Sequence, residues 1–343
     1  MRVWSDRRLR VACLCALAAA LLLLPLTQPS PAIVNLGVFT LMYVGLATAW
    51  NIMGGYTGYV SLGHAGFLGI GAYAAGLVVQ HAGVPAGYGP LLVVPLGGVL
   101  AAASAVPIAW VALRTRAASF VIVTIAFMFI LQILATNLRG VTGGSQGLSY
   151  PVPSQWSPEF FDVPYYYAML VLAAAAMLVS WLIVRSRFGL GLLALRDDED
   201  RALSLGIATG PYKMAAFAVS AGLVGMIGGV YGYYVTYVYP QFVIDPLVGI
   251  SMVLMVYLGG VGTIAGPVLG ALLLEPAQLE LAYYVGQVRH YLVLYAAIFL
   301  VTILLMPRGI VPTISDRLEG WRATRGRDAP PAAVAHEEQA ASR

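Results

Sequence analysis

Apolar residues run in blocks of about twenty along most of this chain, separated by short polar clusters. Such blocks predict membrane-spanning helices, because about 20 residues at 1.5 Å each cross a hydrocarbon core. The first block covers Val11 to Leu26, and a second runs from about Ile33 to Met53. Others cover Pro90–Leu113, Ser119–Thr136, Tyr165–Val184, Met214–Val238 and His290–Met306. Glycine breaks the pattern twice. Gly54–Gly76 reads GGYTGYVSLGHAGFLGIGAYAAG, and the run from Leu247 to Leu274 is interrupted by GGVGTIAGP at Gly259–Pro267. The halves on either side of Gly259 read as too short for ordinary spans. The fold expected is an all-α polytopic integral membrane protein with about eight to ten transmembrane helices, Gly-broken short helices among them.

Composition agrees. Hydrophobic residues make up 60% of the chain and charged residues 10%, against about 25% charged in a soluble domain. No Asp, Glu, Lys or Arg occurs from Val11 to Leu113, where only His64 and His81 interrupt neutrality. Cys13 and Cys15 stand i,i+2 on one helix and face apart, which excludes a disulfide or a metal pair between them. Arg2, Arg7, Arg8 and Arg10 precede the first block, which is read as an uncleaved helix starting in the cytoplasm. Alternation then puts Arg114, Arg116, the Arg185–Lys213 segment and the Arg308–Arg343 tail on the cytoplasmic side, with both termini inside. Arg139 and Arg289 are the exceptions. Residues 1–10 form a cytoplasmic segment, 11–312 the membrane domain, and 313–343 a disordered, solvated tail.

The segment RSRFGLGLLALRDDEDRALSLGIATGPYK, Arg185 to Lys213, is the most densely charged stretch between the apolar blocks. It lies between two membrane-length runs, so it must sit outside the bilayer. From about Gly191 it reads as one short helix with Leu192, Leu195, Ala202 and Leu205 as apolar positions. Arg196–Asp200 and Asp197–Arg201 are its i,i+4 pairs. Gly206 stands where a helix C-terminus favours a left-handed residue. Two readings fit this pattern, a docking element for a soluble partner and an ordinary solvated loop helix. An acidic cation site does not, because neighbouring helical positions face different ways.

The Gly54–Gly76 stretch also admits two readings. Tyr56, Thr57, Ser61 and His64 either bond to neighbouring backbone in a tightly packed helix or line a substrate path along a broken one. His64 has no acidic partner nearby, which argues against a metal site or proton relay. The spans hold essentially no acidic residue except Glu275, at the end of a run, and there is no GxxxxGK[ST] phosphate loop. An energised transporter so built would draw on a partner for energy. A self-sufficient channel or facilitator fits the same facts, and an intramembrane enzyme fits them less well.

Four blocks carry a family resemblance: GGYTGYVSLGHAGFLGIGAYAAG, RTRAASFVIVTIAF from Arg114, RFGLGLLALRDDEDRALSLGI with Lys213 after it, and YLGGVGTIAGPVLGALLL from Tyr257. Together with YLVLYAAIFLVTILLMPRGIV, they resemble the permease subunits of bacterial ABC importers for branched-chain amino acids, the LivM-like half in particular. The resemblance spans about Asn35 to Pro312. It implies a permease subunit of an ATP-driven importer in the bacterial cytoplasmic membrane. The expected partners are a second homologous permease, two cytoplasmic ATPases, an extracytoplasmic substrate-binding protein and membrane lipid, with no nucleic acid, cofactor or metal.

Within that scheme residues 185–213 look like the coupling loop that docks on the ATPases. Leu192, Leu195, Ala202 and Leu205 would fill an apolar groove, Arg196, Asp197, Asp198, Glu199 and Arg201 would form its rim, and Gly189 and Gly206 would set the helix ends. Arg187 and Phe188 open the segment. The substrate path is expected to use Ser61, His64, Thr124, Asn137, Ser145 and Gln146. Tyr59 departs from the family, whose members often carry Gln there, and this bears on the substrate. The same importer type also carries urea, short amides and aromatic acids.

Overall fold

A computed structural model describes residues 20–27, 30–113, 117–158, 160–285 and 309–314, with isolated positions 293, 296, 297 and 300. Most of the first expected span, nearly all of the last, most of the tail, both cysteines and Arg114, Arg116 and Arg289 lie outside the described residues.

The described chain is almost entirely helical. The long helices are α1 (Pro31–Gly54), α2 (His64–His81), α3 (Gly89–Ala112), α4 (Ala117–Asn137), α6 (Asp162–Arg185), α9 (Thr209–Tyr234), α11 (Pro246–Gly259) and α12 (Ala265–Val285). Short helices fill the connections: α5 (Arg139–Thr142), α7 (Arg187–Asp197), α8 (Glu199–Ser204) and α10 (Pro240–Val243). Among the described residues six spans are long and apolar enough to cross a membrane, the one at Pro240–Gly259 combining α10 and α11. This is a multi-pass membrane protein.

The break at Gly259 falls differently from expectation. Helix α11 is short, at 14 residues, but α12 runs for 21 and continues through Pro276. The apolar run alone ends near Leu274, where Glu275 and Pro276 interrupt it without ending the helix. Glu275 therefore lies within a helix and is buried, with its Oε2 lacking a hydrogen-bond partner among the described residues.

Helices α1 and α9 form the centre. Helix α9 packs on α1, α2, α3 and α6, and α1 also packs on α11 and α12. Small residues set these spacings. A Cβ at Gly71 of α2 would run into the backbone of Gly225 in α9, and one at Gly97 of α3 would meet the Gly71 carbonyl oxygen at 2.9 Å. Backbones of three helices thus touch at one level, where close contact replaces the hydrophobic drive that lipid does not supply. Leu92, Val99, Trp110, Ile122, Ile130 and Ile133 face outward from α3 and α4, as suits lipid.

The bundle has two unlike ends. Helices α7 and α8, the end of α1 and the start of α9 gather at a charged end. At the other, Trp156, Phe161, Tyr165, Tyr233 and Tyr234 form an aromatic cluster. Beside it strands β1 (Leu148–Ser149) and β2 (Tyr237–Val238) pair antiparallel, with Leu148 opposite Val238 and Ser149 opposite Tyr237.

Candidate functional site

The charged segment folds as two helices rather than one. Asp198 breaks them with extended backbone (φ −163°, ψ 111°), and its carboxylate accepts from the Arg201 amide at 3.0 Å, capping α8. A capping aspartate satisfies a free amide that a continuous helix would not expose. The expected i,i+4 pairs give way to one i,i+3 pair, Asp198 with Arg201, at 3.0 Å. The expected helix end is present. Gly206 is left-handed (φ 83°), and the amides of Gly206 and Ile207 reach the carbonyls of Leu203 and Ala202, as in a Schellman motif. At the other end Ser186 caps α7 through the Gly189 amide, and Gly189 lies against the Ile183 carbonyl, where a side chain would not fit.

Burial reverses part of the apolar assignment. Leu192, Leu195 and Ala202 are buried against the chain itself, and Phe188 stacks on Tyr212 at 5.2 Å. They anchor the segment and are not free to fill a partner's groove. The apolar groups facing out are Leu190, Leu203 and Leu205, the last 80% exposed. Arg187, Asp197, Asp200 and Arg201 stand exposed around them.

Glu199 turns inward and is not on the rim. Its Oε1 accepts from Lys213 Nζ at 2.6 Å, and Oε2 accepts from the Tyr59 hydroxyl. Lys213 also donates to the Tyr59 oxygen at 3.2 Å and lies 4.5 Å from the centre of its ring. Partial burial alone would raise the Glu199 carboxyl, but hydrogen bonds from Lys213 and Tyr59 outweigh it and hold the group below the ordinary glutamate range. Tyr59 moves the opposite way, raised by burial and by the adjoining carboxylate. The residue that departs from the family pattern therefore sits at the charged end, against Glu199 and Lys213.

Arg196 reaches further. Its guanidinium donates to the Gly55 carbonyl at 2.8 Å and packs over Gly262, so one side chain touches both glycine-broken stretches. Asn51 of α1 holds them together from the other side, donating to Thr263 O at 3.0 Å and accepting from the Gly262 amide at 2.9 Å.

Residues 55–63 are non-helical, and part of this stretch is buried within the bundle, where backbone polar groups need partners. Side chains supply several of them. Trp50 Nε1 donates to Ser61 O at 2.6 Å, and the Leu62 amide donates to Thr124 Oγ1 at 3.3 Å. His64 bridges Ser61 Oγ at 2.9 Å and Ser220 Oγ at 2.8 Å, and Ser220 donates to Ala49 O at 2.7 Å. Phe67 and Phe217 stand edge-on to the imidazole. Ser61, His64 and Thr124 are fully buried and spent on these bonds. The stretch is thus a broken helix, as one reading had it, with its polar groups committed to packing, as the other had it.

The remaining expected path residues lie elsewhere. Asn137 is exposed at the end of α4, its amide on Ile133 O at 2.8 Å. Ser145 and Gln146 line a cavity with Arg139 and Gly143. The six residues do not form one site. Asn51, Trp50, Ser220 and Thr263 were missed, because a lone polar residue within an apolar run carries no pattern.

Residues 32–303 match the family described as "Branched-chain amino acid transport system / permease component". The high-affinity branched-chain amino acid transport system permease protein LivM of Escherichia coli is 27% identical over 328 residues, covering 88% of this chain and 75% of its own. The permease protein LivH of the same system is 26% identical over 285 residues, covering 78% and 91%. The autoinducer 2 import system permease protein LsrC of Salmonella paratyphi B is 30% identical over 200 residues, covering 51% and 56%. No solved structure matches. A bundle of apolar helices with a structured charged end and a family match over most of its length is a transport subunit and not an enzyme, and the chain belongs to the permease components of branched-chain amino acid transport systems.

Proposed function

We propose that the chain is one membrane-spanning half of an ATP-driven importer for branched-chain or related amino acids, and that residues 185–213 receive the ATPases. One observation carries the docking part. The segment presents Leu190, Leu203 and Leu205 outward within a ring of mixed charge, while its inner face is tied to the bundle by Glu199, Lys213 and Arg196. An apolar centre with a polar rim suits a protein groove. The inner bonds suit a rigid element that passes movement on.

In this reading a second homologous permease completes the path, two ATPases bind the charged end, and a substrate-binding protein docks at the aromatic end. The charged end and both termini face the cytoplasm of a bacterium. Purification of the tagged chain from native membranes, followed by uptake assays in proteoliposomes, tests all of this. Recovery of a second permease and two ATPases, with ATP-dependent uptake of leucine, supports it. A chain recovered alone that passes leucine without ATP sinks it. Uptake of urea, short amides or aromatic acids in place of leucine would keep the machine and change the cargo.

A further inference from the structure

Arg139 breaks the charge bias of the chain, and its place in the fold gives it a task. It follows α4, at the end remote from Phe120, which packs edge-on against Tyr59 at the charged end. It belongs with the β ribbon, since the neighbouring Gly147 packs against Val238 and Tyr237. There Arg139, Gly143, Ser145 and Gln146 line a cavity of about 300 Å³, within the size range of small-molecule sites.

The cavity is built by its backbone. Gly143, Gly144 and Gly147 are all left-handed, at φ 75°, 63° and 77°. A side chain at Gly144 would press on the Arg139 stem at 2.8 Å, so the bare glycine lets that stem lie flat across the turn. Thr142 Oγ1 clamps the turn, donating toward Ala135 O at 2.5 Å and Leu138 O at 2.9 Å and accepting from the Gly144 amide at 3.3 Å. Among the described residues no carboxylate lies within ion-pair distance of Arg139. A guanidinium offers a fork matched to a carboxylate, and Ser145 and Gln146 add neutral hydrogen-bonding groups beside it.

We propose that this cavity receives the carboxylate of the amino-acid cargo as it enters from the aromatic end. The proposal deepens the transport reading above and rests on it for the identity of the cargo.

The test uses the whole importer in proteoliposomes, with its binding protein saturating and leucine as probe. Arg139→Gln should lower maximal leucine uptake by about 10- to 100-fold, the scale of a lost charge-assisted hydrogen bond. Assembly and the affinity of the binding protein for the complex should not change. Arg139→Lys keeps the charge without the fork and should give an intermediate rate. If Arg139→Gln instead weakens binding-protein docking, and uptake recovers at higher binding-protein concentration, the carboxylate belongs to that protein and the cargo assignment is overturned. Wild-type uptake and docking in both variants would overturn the site altogether. If the Gln variant does not assemble, the Lys variant decides on the same two readouts.

A second readout is independent of transport. Leucine should slow phenylglyoxal modification of Arg139 in the purified complex, and leucinamide should not. Equal protection by both, or by neither, overturns the carboxylate site. A complex without ATP-driven uptake would overturn the importer reading, and this labelling would still judge the cavity.

Discussion

Lys213, the chain's single lysine, lies 2.6 Å from Glu199 with its own side chain 3% exposed, while the carboxylate is 35% exposed. The pair joins the second turn of α9 to the first turn of α8. Removing one partner strands the other, and a fully buried pair loses about 3–5 kcal/mol that way. Water reaches Glu199, so screening reduces the figure. Lys213→Met should cost about 2 kcal/mol, read as a lower thermal unfolding midpoint in detergent. Glu199→Leu added to it should recover part of the loss, because no charge is then left alone.

The same pair predicts a pH dependence. The folded Glu199 carboxyl is held below its unfolded value, so the ionised form is favoured by the fold. Its contribution to stability is complete above the ordinary glutamate range and is lost as pH falls through the lower folded value. Unfolding midpoints of the wild type and of Glu199→Gln should therefore differ at neutral pH and converge in acid. Curves that stay parallel across the range would refute the pairing.

Buried and exposed leucines of the charged segment should separate two effects that the sequence merged. Leu195→Asp puts a carboxylate into the chain's own core and should destabilise the isolated subunit by about 3 kcal/mol or more. Leu205→Asp lies in the open and should leave subunit stability within about 0.5 kcal/mol. It should nevertheless abolish co-purification of the ATPases. Unchanged co-purification for Leu205→Asp combined with Leu203→Asp would refute the docking surface.

His64→Ala should cost about 3 kcal/mol, since it leaves the Ser61 and Ser220 hydroxyls each short of a partner and opens a cavity between Phe67 and Phe217. Ratios of uptake between leucine, isoleucine and valine should not move. A shift in those ratios at unchanged stability would return His64 to the substrate path.

Much of this architecture was legible because a bilayer imposes one rule on every span, and apolar length reads directly. Gly206 was legible for a similar reason, since left-handed helix ends favour glycine. The interior of the charged segment was not. Helical spacing showed Leu192 and Leu205 as one face, yet Asp198 stops the helix between them by capping the next, and the two leucines end with opposite exposure. A capping aspartate and an ion-pairing aspartate look alike in a row of acids. Nor did any local pattern mark Asn51 or Lys213, whose partners lie 212 and 14 residues away. The six residues assigned to a path shared polarity within apolar surroundings, and that property selects structural ties as readily as ligands.

The reach of Arg196 has a mechanical consequence. Its guanidinium bonds the stretch after α1 and covers the stretch after α11, while Asn51 bonds the second of these from the opposite side. The two interruptions in the bundle are therefore tied to each other through shared side chains. A displacement of α7 that kept these bonds would carry both stretches together. A push delivered at the charged end through Arg196 would then act on both interruptions at once.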